Sequence, residues 1–194
     1  MKPEPPAPGQ SASPHINPRA GAPIELSIKD TNQLFQSLDP HPFRERDLDP
    51  AVEEFVVDWA LELPRNAPIQ LVVHLPAAEA ARPRAAEIDE AIRGYFLYRA
   101  EMTQLQLREL IRQGRTALAI GIAVLGVCVL LGSALSPLFG QGYAARFFNE
   151  GLIIVGWVAN WRPLQIFLYD WWPYVRRRRL YLRLASARID LAPF

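Results

Sequence analysis

The chain has 194 residues, of which 50% are hydrophobic and 21% charged, and its formal net charge is +1. Residues 1–114 contain 12 Lys and Arg against 17 Asp and Glu, whereas residues 115–194 contain nine Arg against three acids. Because the arginine excess lies beside a hydrophobic stretch and not across a folded face, a uniformly basic nucleic-acid-binding protein is excluded. The single cysteine excludes a disulfide framework and a cysteine-based zinc site.

Residues 1–23 form a proline-rich leader that contains seven of the 18 prolines. A segment of this composition cannot form strand ladders or bury a core, so it is predicted to be disordered. No apolar run follows Lys2, which argues against a signal peptide. The chain is therefore expected to reach a membrane by its internal segments.

Residues 24–84 are predicted to form a small acidic α/β domain. Residues 24–29 alternate apolar and polar side chains, which is typical of a half-buried strand. Asp49 followed by Pro50 indicates a helix start, and apolar residues then recur at helical spacing to about residue 62. Residues 69–75 are nearly continuous in apolar side chains and predict a second, more buried strand.

Residues 85–114 have few helix breakers and run without interruption into the hydrophobic stretch. They predict a long helix that connects the domain to a membrane segment. The fold class is thus a small α+β cytoplasmic domain of order β-α-β-α, continuing through a long helix into a two-helix transmembrane hairpin. Because two strands are marginal alone, the long helix or a second copy is expected to cover them.

The first membrane segment is the clearest feature of the sequence. No charged residue occurs between Arg115 and Arg146, and residues 117–135 are almost wholly aliphatic. The uncharged stretch of 30 residues between these two arginines exceeds the ~20 residues that a helix needs to cross a bilayer. It predicts a transmembrane helix at residues 115–136, followed by a short extracytoplasmic loop at residues 137–150.

A second apolar run, residues 151–173, is long enough to cross but is interrupted by Pro163. Arginines precede the first span and follow the second, so the positive-inside rule places both termini in the cytoplasm. The alternative is that the second run is re-entrant. Two glycine pairs miss the Gly-x-x-x-Gly register, and the small residues that could still allow close helix contact are Gly126, Gly132 and Ser133.

Three polar residues of the second run are candidates for an intramembrane site: Asn160, Arg162 and Asp170. An arginine at this depth is costly unless it finds a partner. Asp170, Glu150, the first helix or a neighbouring copy could supply that partner. One interpretation is a polar site that binds an anion or lines a water-filled route. The other is that Arg162 extends to a headgroup and Asn160 bonds across the helix pair.

Aromatic and basic residues at the end of the second run predict an interface anchor on anionic lipid. Residues 174–194 are predicted to be a basic amphipathic cytoplasmic tail, with an apolar stripe on a helix lying on the membrane surface. The acid-rich stretch at residues 39–62 is interpreted mainly as a solvated helix face, and a further hypothesis is that it meets this tail, in the same chain or the next. The predicted anchors are Trp157, Trp161, Trp171, Trp172, Tyr174, Arg176, Arg177, Arg178 and Arg179.

The string Trp-Arg-Pro-Leu-Gln-Ile-Phe-Leu-Tyr-Asp-Trp-Trp-Pro at residues 161–173 resembles one found in bacterial two-span inner-membrane proteins of unassigned function. The segment Leu-Asp-Pro-His-Pro-Phe-Arg-Glu-Arg-Asp-Leu-Asp at residues 38–49 is similar to them as well. The resemblance covers residues 24–190. It implies two membrane spans and brings no activity, cofactor or catalytic residue.

The sequence contains no Gly-rich phosphate loop, no Gly-x-Ser-x-Gly and no His-Glu-x-x-His. We therefore predict no enzyme, no cofactor and no metal site. The favoured hypothesis is a membrane-anchored interaction or scaffold protein, either a homo-oligomer or bound to a protein partner and not to nucleic acid. The alternative is a small transport or channel subunit built around Arg162 and Asn160. Nineteen arginines against two lysines indicate a GC-rich genome, and hence a bacterial inner membrane.

Overall fold

The computed structural model describes residues 23–36, 46–64, 66–82, 85, 87–135 and 142–194. The predicted leader up to residue 22 and residues 136–141 of the predicted loop lie outside this part of the chain. The elements in chain order are β1 (Ile24–Ser27), a 3-10 helix (Thr31–Leu34), α1 (Pro50–Glu62), β2 (Gln70–Leu75), α2 (Ala77–Ala80), α3 (Ile88–Leu135), α4 (Tyr143–Ala159), α5 (Trp161–Gln165), a π-helical segment (Ile166–Asp170), α6 (Trp172–Ala185) and β3 (Arg188–Pro193).

The three strands form one parallel sheet in the order β1-β2-β3. Leu26 of β1 lies opposite Val73, and Val73 lies opposite Leu191 of β3. The prediction of only two strands was therefore wrong, since the last residues of the chain complete the sheet on the far side of β2. Neighbouring parallel strands need crossover connections. Here α1 lies between β1 and β2 in the chain, while α3 to α6 lie between β2 and β3.

Local signals set the start of α1. Asp49 accepts a hydrogen bond from the backbone N–H of Ala51 at 2.9 Å, and Pro50 occupies the first turn. The proline has no N–H to leave unsatisfied and its φ is already helical. The helix begins and ends where the sequence predicts.

Helices α1, α3 and α6 cover the sheet and bury one continuous core with it. Val73 and Leu75 of β2 are fully buried, as are Ile88 and Phe96 on the first part of α3. The stripe of α6 that was expected to lie on a membrane surface is instead in this core, because Leu180, Tyr181 and Leu184 pack there. We call the three strands and the helical parts that cover them the sheet domain.

The long helix α3 belongs to both halves of the molecule. Its first residues pack in the sheet domain, and it continues without a break to Leu135, where most aliphatic side chains are exposed. The helical stretches Ile88–Leu135 and Arg146–Ala185 are each long and apolar enough to cross a membrane. The second begins earlier than predicted, since α4 starts at Tyr143 and not at Gly151. We call residues 116–135 together with α4 and α5 the apolar hairpin.

Candidate functional site: the junction of the sheet domain and the apolar hairpin

The apolar hairpin is closed by small residues on α3. A Cβ atom added at Gly121 would lie 2.6 Å from Oδ1 of Asn160 and 3.0 Å from the carbonyl oxygen of Ala159. One added at Gly114 would lie 2.8 Å from Cγ2 of Ile166. The two helices therefore approach so closely that only glycine fits at these positions.

The other glycines of the two helices show where the helices approach closely and where they do not. A Cβ atom at Gly156 of α4 would lie 2.6 Å from Leu125, and one at Gly132 would clash with Asn149, whereas one at Gly126 would meet nothing within 4 Å. Of the small residues considered in the sequence, Gly132 makes a close contact and Gly126 does not. The buried residues Gly114, Gly121 and Cys128 recur every seven positions, which is the spacing of a left-handed helix pair. These three residues define the small-residue seam.

Asn160 faces this seam. Its side-chain amide donates to the carbonyl oxygen of Gly121 at 3.0 Å and to that of Gly156 at 2.9 Å. Both donor hydrogens are thus used within the hairpin, one across the helix pair and one within its own helix. The hydrogen bond to Gly121 forms only because the absence of a side chain at Gly121 lets the Asn160 amide come close to the backbone of α3.

Arg162 faces away from the seam and pairs with Asp170. Nη1 lies 3.1 Å from Oδ2 of Asp170 and 3.5 Å from Oε1 of Gln165. The Arg162 side chain is 61% exposed, and that of Asp170 is 27% exposed. The structure therefore joins two of the three polar candidates and places Asn160 elsewhere.

The π-helical segment explains how a pair eight residues apart can form. In a regular α-helix of 3.6 residues per turn, residue i+8 lies about 80° round the axis from residue i, whereas residue i+7 lies only about 20° from it. The i→i+5 pattern of Ile166–Asp170 inserts about one extra residue into the helix. Arg162 and Asp170 are thereby brought onto one face, with the arginine reaching toward α6.

Replacing Gly121 with leucine is expected to open the hairpin. The new side chain would meet a backbone carbonyl that cannot move aside and would break the Asn160 bond, for a cost of about 1–3 kcal/mol. The measurement is disulfide cross-linking between cysteines introduced at Leu125 and Gly156, which face each other, in the Cys128→Ala background. Gly126→Leu is the matched control, because its Cβ meets open space. Equal cross-linking of the two variants would show that the seam does not hold the hairpin.

Below the hairpin, one carboxylate links three helices. Glu53 of α1 accepts a hydrogen bond from the Tyr95 hydroxyl at 2.6 Å and from Nε of Arg99 at 2.9 Å, both on α3. It also accepts one from the Tyr181 hydroxyl of α6 at 3.0 Å. The guanidinium of Arg99 lies over the Tyr181 ring, 5.6 Å from its centroid. We call these four residues the Glu53 network.

The charge states of the network follow from its geometry. Burial alone would raise the pKa of Glu53, but the hydrogen bonds from Tyr95, Arg99 and Tyr181 and the charge of Arg99 outweigh it and hold that pKa below its usual value. Burial, reinforced by the bond to the Glu53 carboxylate, raises the pKa of Tyr95 strongly. Burial works against the charged form of Arg99, yet the contact with Glu53 raises the pKa of Arg99. The network is thus a stable ion pair with a neutral phenol as donor.

The acidic helix and the basic run meet at this network. Nε of Arg177 donates to the Tyr181 hydroxyl at 3.1 Å, and that hydroxyl donates to Glu53. The sequence predicted a meeting of the two charged regions but not the tyrosine that joins them. A groove of about 380 Å³ lies beside it, between the end of α1 and α6. Its lining is Ala60, Leu61, Leu63, Asn66, Trp171, Trp172, Val175, Arg176, Arg179, Leu180 and Arg183.

The predicted anchors therefore fall into four groups. Trp157 and Trp161 are exposed on the outside of the apolar hairpin. Four line the groove, while Arg177 contacts the Glu53 network. Tyr174 and Arg178 are half-buried and are not among the groove-lining residues. The four groove residues are Trp171, Trp172, Arg176 and Arg179.

The comparisons with known proteins bring no relative, because the chain matches no family model, no curated protein and no solved structure. Within the described ranges, no group of three or more His, Cys, Asp or Glu side chains is placed to hold a metal ion. The fold defines a mostly helical protein with a small parallel sheet and two long apolar helices.

Proposed function

We propose that the protein is a membrane-anchored interaction protein, with the sheet domain at the cytoplasmic face of a bacterial inner membrane and the apolar hairpin within the bilayer. The proposal is supported by the continuity of helix α3 between the sheet domain and the apolar hairpin. Helix α3 runs unbroken from the core of the sheet domain to the tip of the hairpin, and the helical stretch Arg146–Ala185 returns along it. A domain mounted in this way has a fixed height and orientation above the bilayer.

The Glu53 network supports the rigid mounting. It ties α1 to both long helices at the level where they leave the sheet domain. A flexible tether would suffice to localise a domain, whereas a rigid mount suits a domain that must meet a partner at a set distance from the membrane. Arginines at both ends of the hairpin, including Arg112, Arg115 and Arg176, support the cytoplasmic placement of the sheet domain.

The surface proposed for the partner is the outer side of α1. Glu54, Asp58 and Glu62 lie at four-residue intervals and are exposed, so they present one acidic row. Phe55 beside them is 40% exposed. An acidic row with an exposed aromatic side chain suits a basic protein surface, since charge complementarity steers association and aromatic groups supply contact energy.

The geometry favours this role over a transport subunit. Asn160 uses both amide hydrogens within the hairpin, and Arg162 points to the opposite side and is paired with Asp170. The residues proposed for a polar route therefore do not line one path in a single copy.

The test is native mass spectrometry of the full chain, extracted gently in nanodiscs from the cells that make it. We expect a stoichiometric protein partner on the wild type that is lost from a Glu54→Lys, Asp58→Lys variant. The matched control, Glu25→Lys with Glu101→Lys, reverses as many exposed charges on other elements and should keep the partner. Retention by all three proteins would rule out the α1 surface.

Reporter fusions at residues 1 and 194 test the membrane placement in the same strains. Both are expected to report the cytoplasm, and the protein should resist extraction with alkaline carbonate. A periplasmic reading at either end, or full extraction, would contradict the proposed mounting.

A further inference from the structure

The groove between α1 and α6 has an apolar wall and a basic rim. Leu61 and Leu63 come from the end of α1, and Trp171, Trp172 and Val175 come from the start of α6 and the residue before it. Arg176, Arg179 and Arg183 follow at one-turn intervals along the same side of α6, and among the lining residues that the structure describes there is no Asp or Glu. The groove thus offers apolar surface and cationic groups side by side.

Two of the three groove arginines, Arg176 and Arg179, have no hydrogen-bond or ion-pair partner in the described part of the chain. Arg183 donates to the carbonyl oxygens of Pro64 and Ala67 at 3.1 and 2.9 Å, which fixes the loop after α1. Arg176 and Arg179 are exposed, and neither takes part in a hydrogen bond or an ion pair in the described residues. Their neighbour Arg177, by contrast, is held by Tyr181. Among the residues that the structure describes, nothing therefore pairs with these two guanidinium groups, and both line the groove where an anion could bind.

The height of the groove follows from the helix packing. Gly114 contacts Ile166, so Arg115, the last charged residue before the apolar stretch, marks the level of the π-helical segment. Trp171 lies about one and a half turns further toward the sheet domain. The groove thus begins at the level expected for headgroups, with its aromatic end nearest the apolar hairpin.

We propose that this groove binds one anionic phospholipid of the surrounding bilayer. The phosphate would lie between Arg176 and Arg179, and the first part of an acyl chain would lie along Trp172 and Leu61. A volume of about 380 Å³ is within the range of small-molecule sites and suits a headgroup with a short length of chain. The lipid would bridge α1 and α6, in addition to the Glu53 network. This inference rests on the proposed membrane location.

The experiment is native mass spectrometry of the full chain in nanodiscs that contain phosphatidylglycerol and phosphatidylcholine in equal amounts. We expect one phosphatidylglycerol to stay bound per chain after release of the other lipids. Replacing Arg176 and Arg179 with glutamine should weaken that retention by about fivefold per arginine, or roughly 30-fold together. The control Arg178→Gln, Arg188→Gln removes two charges outside the groove and should keep the lipid.

A second variant tests the apolar wall. Leu61 is 48% exposed, so Leu61→Glu leaves the core intact while placing a carboxylate beside the phosphate, and it should also release the lipid. Equal retention of the two lipids by the wild type, equal loss in the arginine variants and their control, or a second copy of the chain in place of the lipid would overturn the inference. If the wild type inserts into the bilayer but shows no lipid preference, the groove proposal fails and the membrane location stands. If the wild type does not insert, both proposals fail.

Discussion

Deletion of residues 187–194 is expected to unfold the sheet domain while the apolar hairpin stays associated. The deletion removes β3, whose first backbone N–H donates to the carbonyl oxygen of Ile69 at 3.1 Å, and Phe194, whose N–H donates to the carbonyl oxygen of Leu75 at 2.9 Å. It also uncovers the partly buried side chains of β2 on that side and removes Ile189 and Leu191 from the edge of the core. A sheet of two strands is marginally stable, and the free energy of unfolding of a domain of this size is only ~5–15 kcal/mol.

Amide hydrogen exchange of the full-length and truncated chains in nanodiscs measures this effect. We expect the amides of residues 70–75 to lose their protection, while those of residues 117–132 keep theirs. Arg188→Gln is the control, because it removes an exposed ion pair with Asp190 but keeps the strand, and such pairs contribute little. Unchanged protection in the truncated chain would mean that the C-terminal residues are free for another role.

The parts of the fold that depend on local signals could be predicted from the sequence. The Asp49-Pro50 start of α1 acts through one side-chain bond and one restricted φ. The alternation in β1 and the apolar run in β2 follow directly from which faces are buried. The unbroken helix from the domain into the apolar stretch follows from the absence of proline between residues 88 and 135.

The third strand could not be predicted in the same way, although part of its signal is present. Ile189 and Leu191 alternate with Arg188 and Asp190, but the basic run before them favoured the interpretation of an amphipathic surface tail. Pro193 is tolerated because β3 is an edge strand. Since Arg188 and Phe194 direct their N–H groups to β2 and successive residues alternate, position 193 faces the open edge, where no donor is needed.

The candidate site was predictable in residue type but not in arrangement. Asp170 was one of several possible partners for Arg162, and only the inserted π-helical residue brings the two into line. The basic and aromatic half of the groove was visible in the sequence, while its other wall, from α1, depends on tertiary packing. The seven-residue spacing from Gly114 to Gly121 was the available signal for the helix contact.

The Glu53 network gave no sequence signal at all, because its members are spread over three helices. Glu53 is one of several acids on α1, and its tyrosine and arginine partners lie 42, 46 and 128 positions along the chain. Its geometry makes it the residue whose loss should matter most outside the apolar core. The side chain is 15% exposed, whereas that of Arg99 is 36% exposed.

Replacing Glu53 with glutamine is expected to destabilise the sheet domain by about 2–4 kcal/mol, since it leaves a half-buried arginine without its counter-charge and at least one tyrosine hydroxyl without its acceptor. In hydrogen exchange this corresponds to roughly 30- to 1,000-fold faster opening of α1 and β2. Glu54→Gln changes the next residue, which is exposed, and should shift stability by less than about 0.5 kcal/mol.

The pH dependence separates the charge of Glu53 from its packing. Because its pKa in the folded protein lies below the ordinary value of 4.5, the folded state favours the ionised form. The stability that it contributes is therefore complete above about pH 4.5 and is lost as the pH falls through the lowered pKa. Glu53→Gln should lack this part of the acid limb, while Glu54→Gln should keep it. Parallel acid limbs in the wild type and Glu53→Gln would show that the carboxylate acts by shape alone, and the rigid mounting would then depend on the packing of Tyr95 and Tyr181 and not on their common anion.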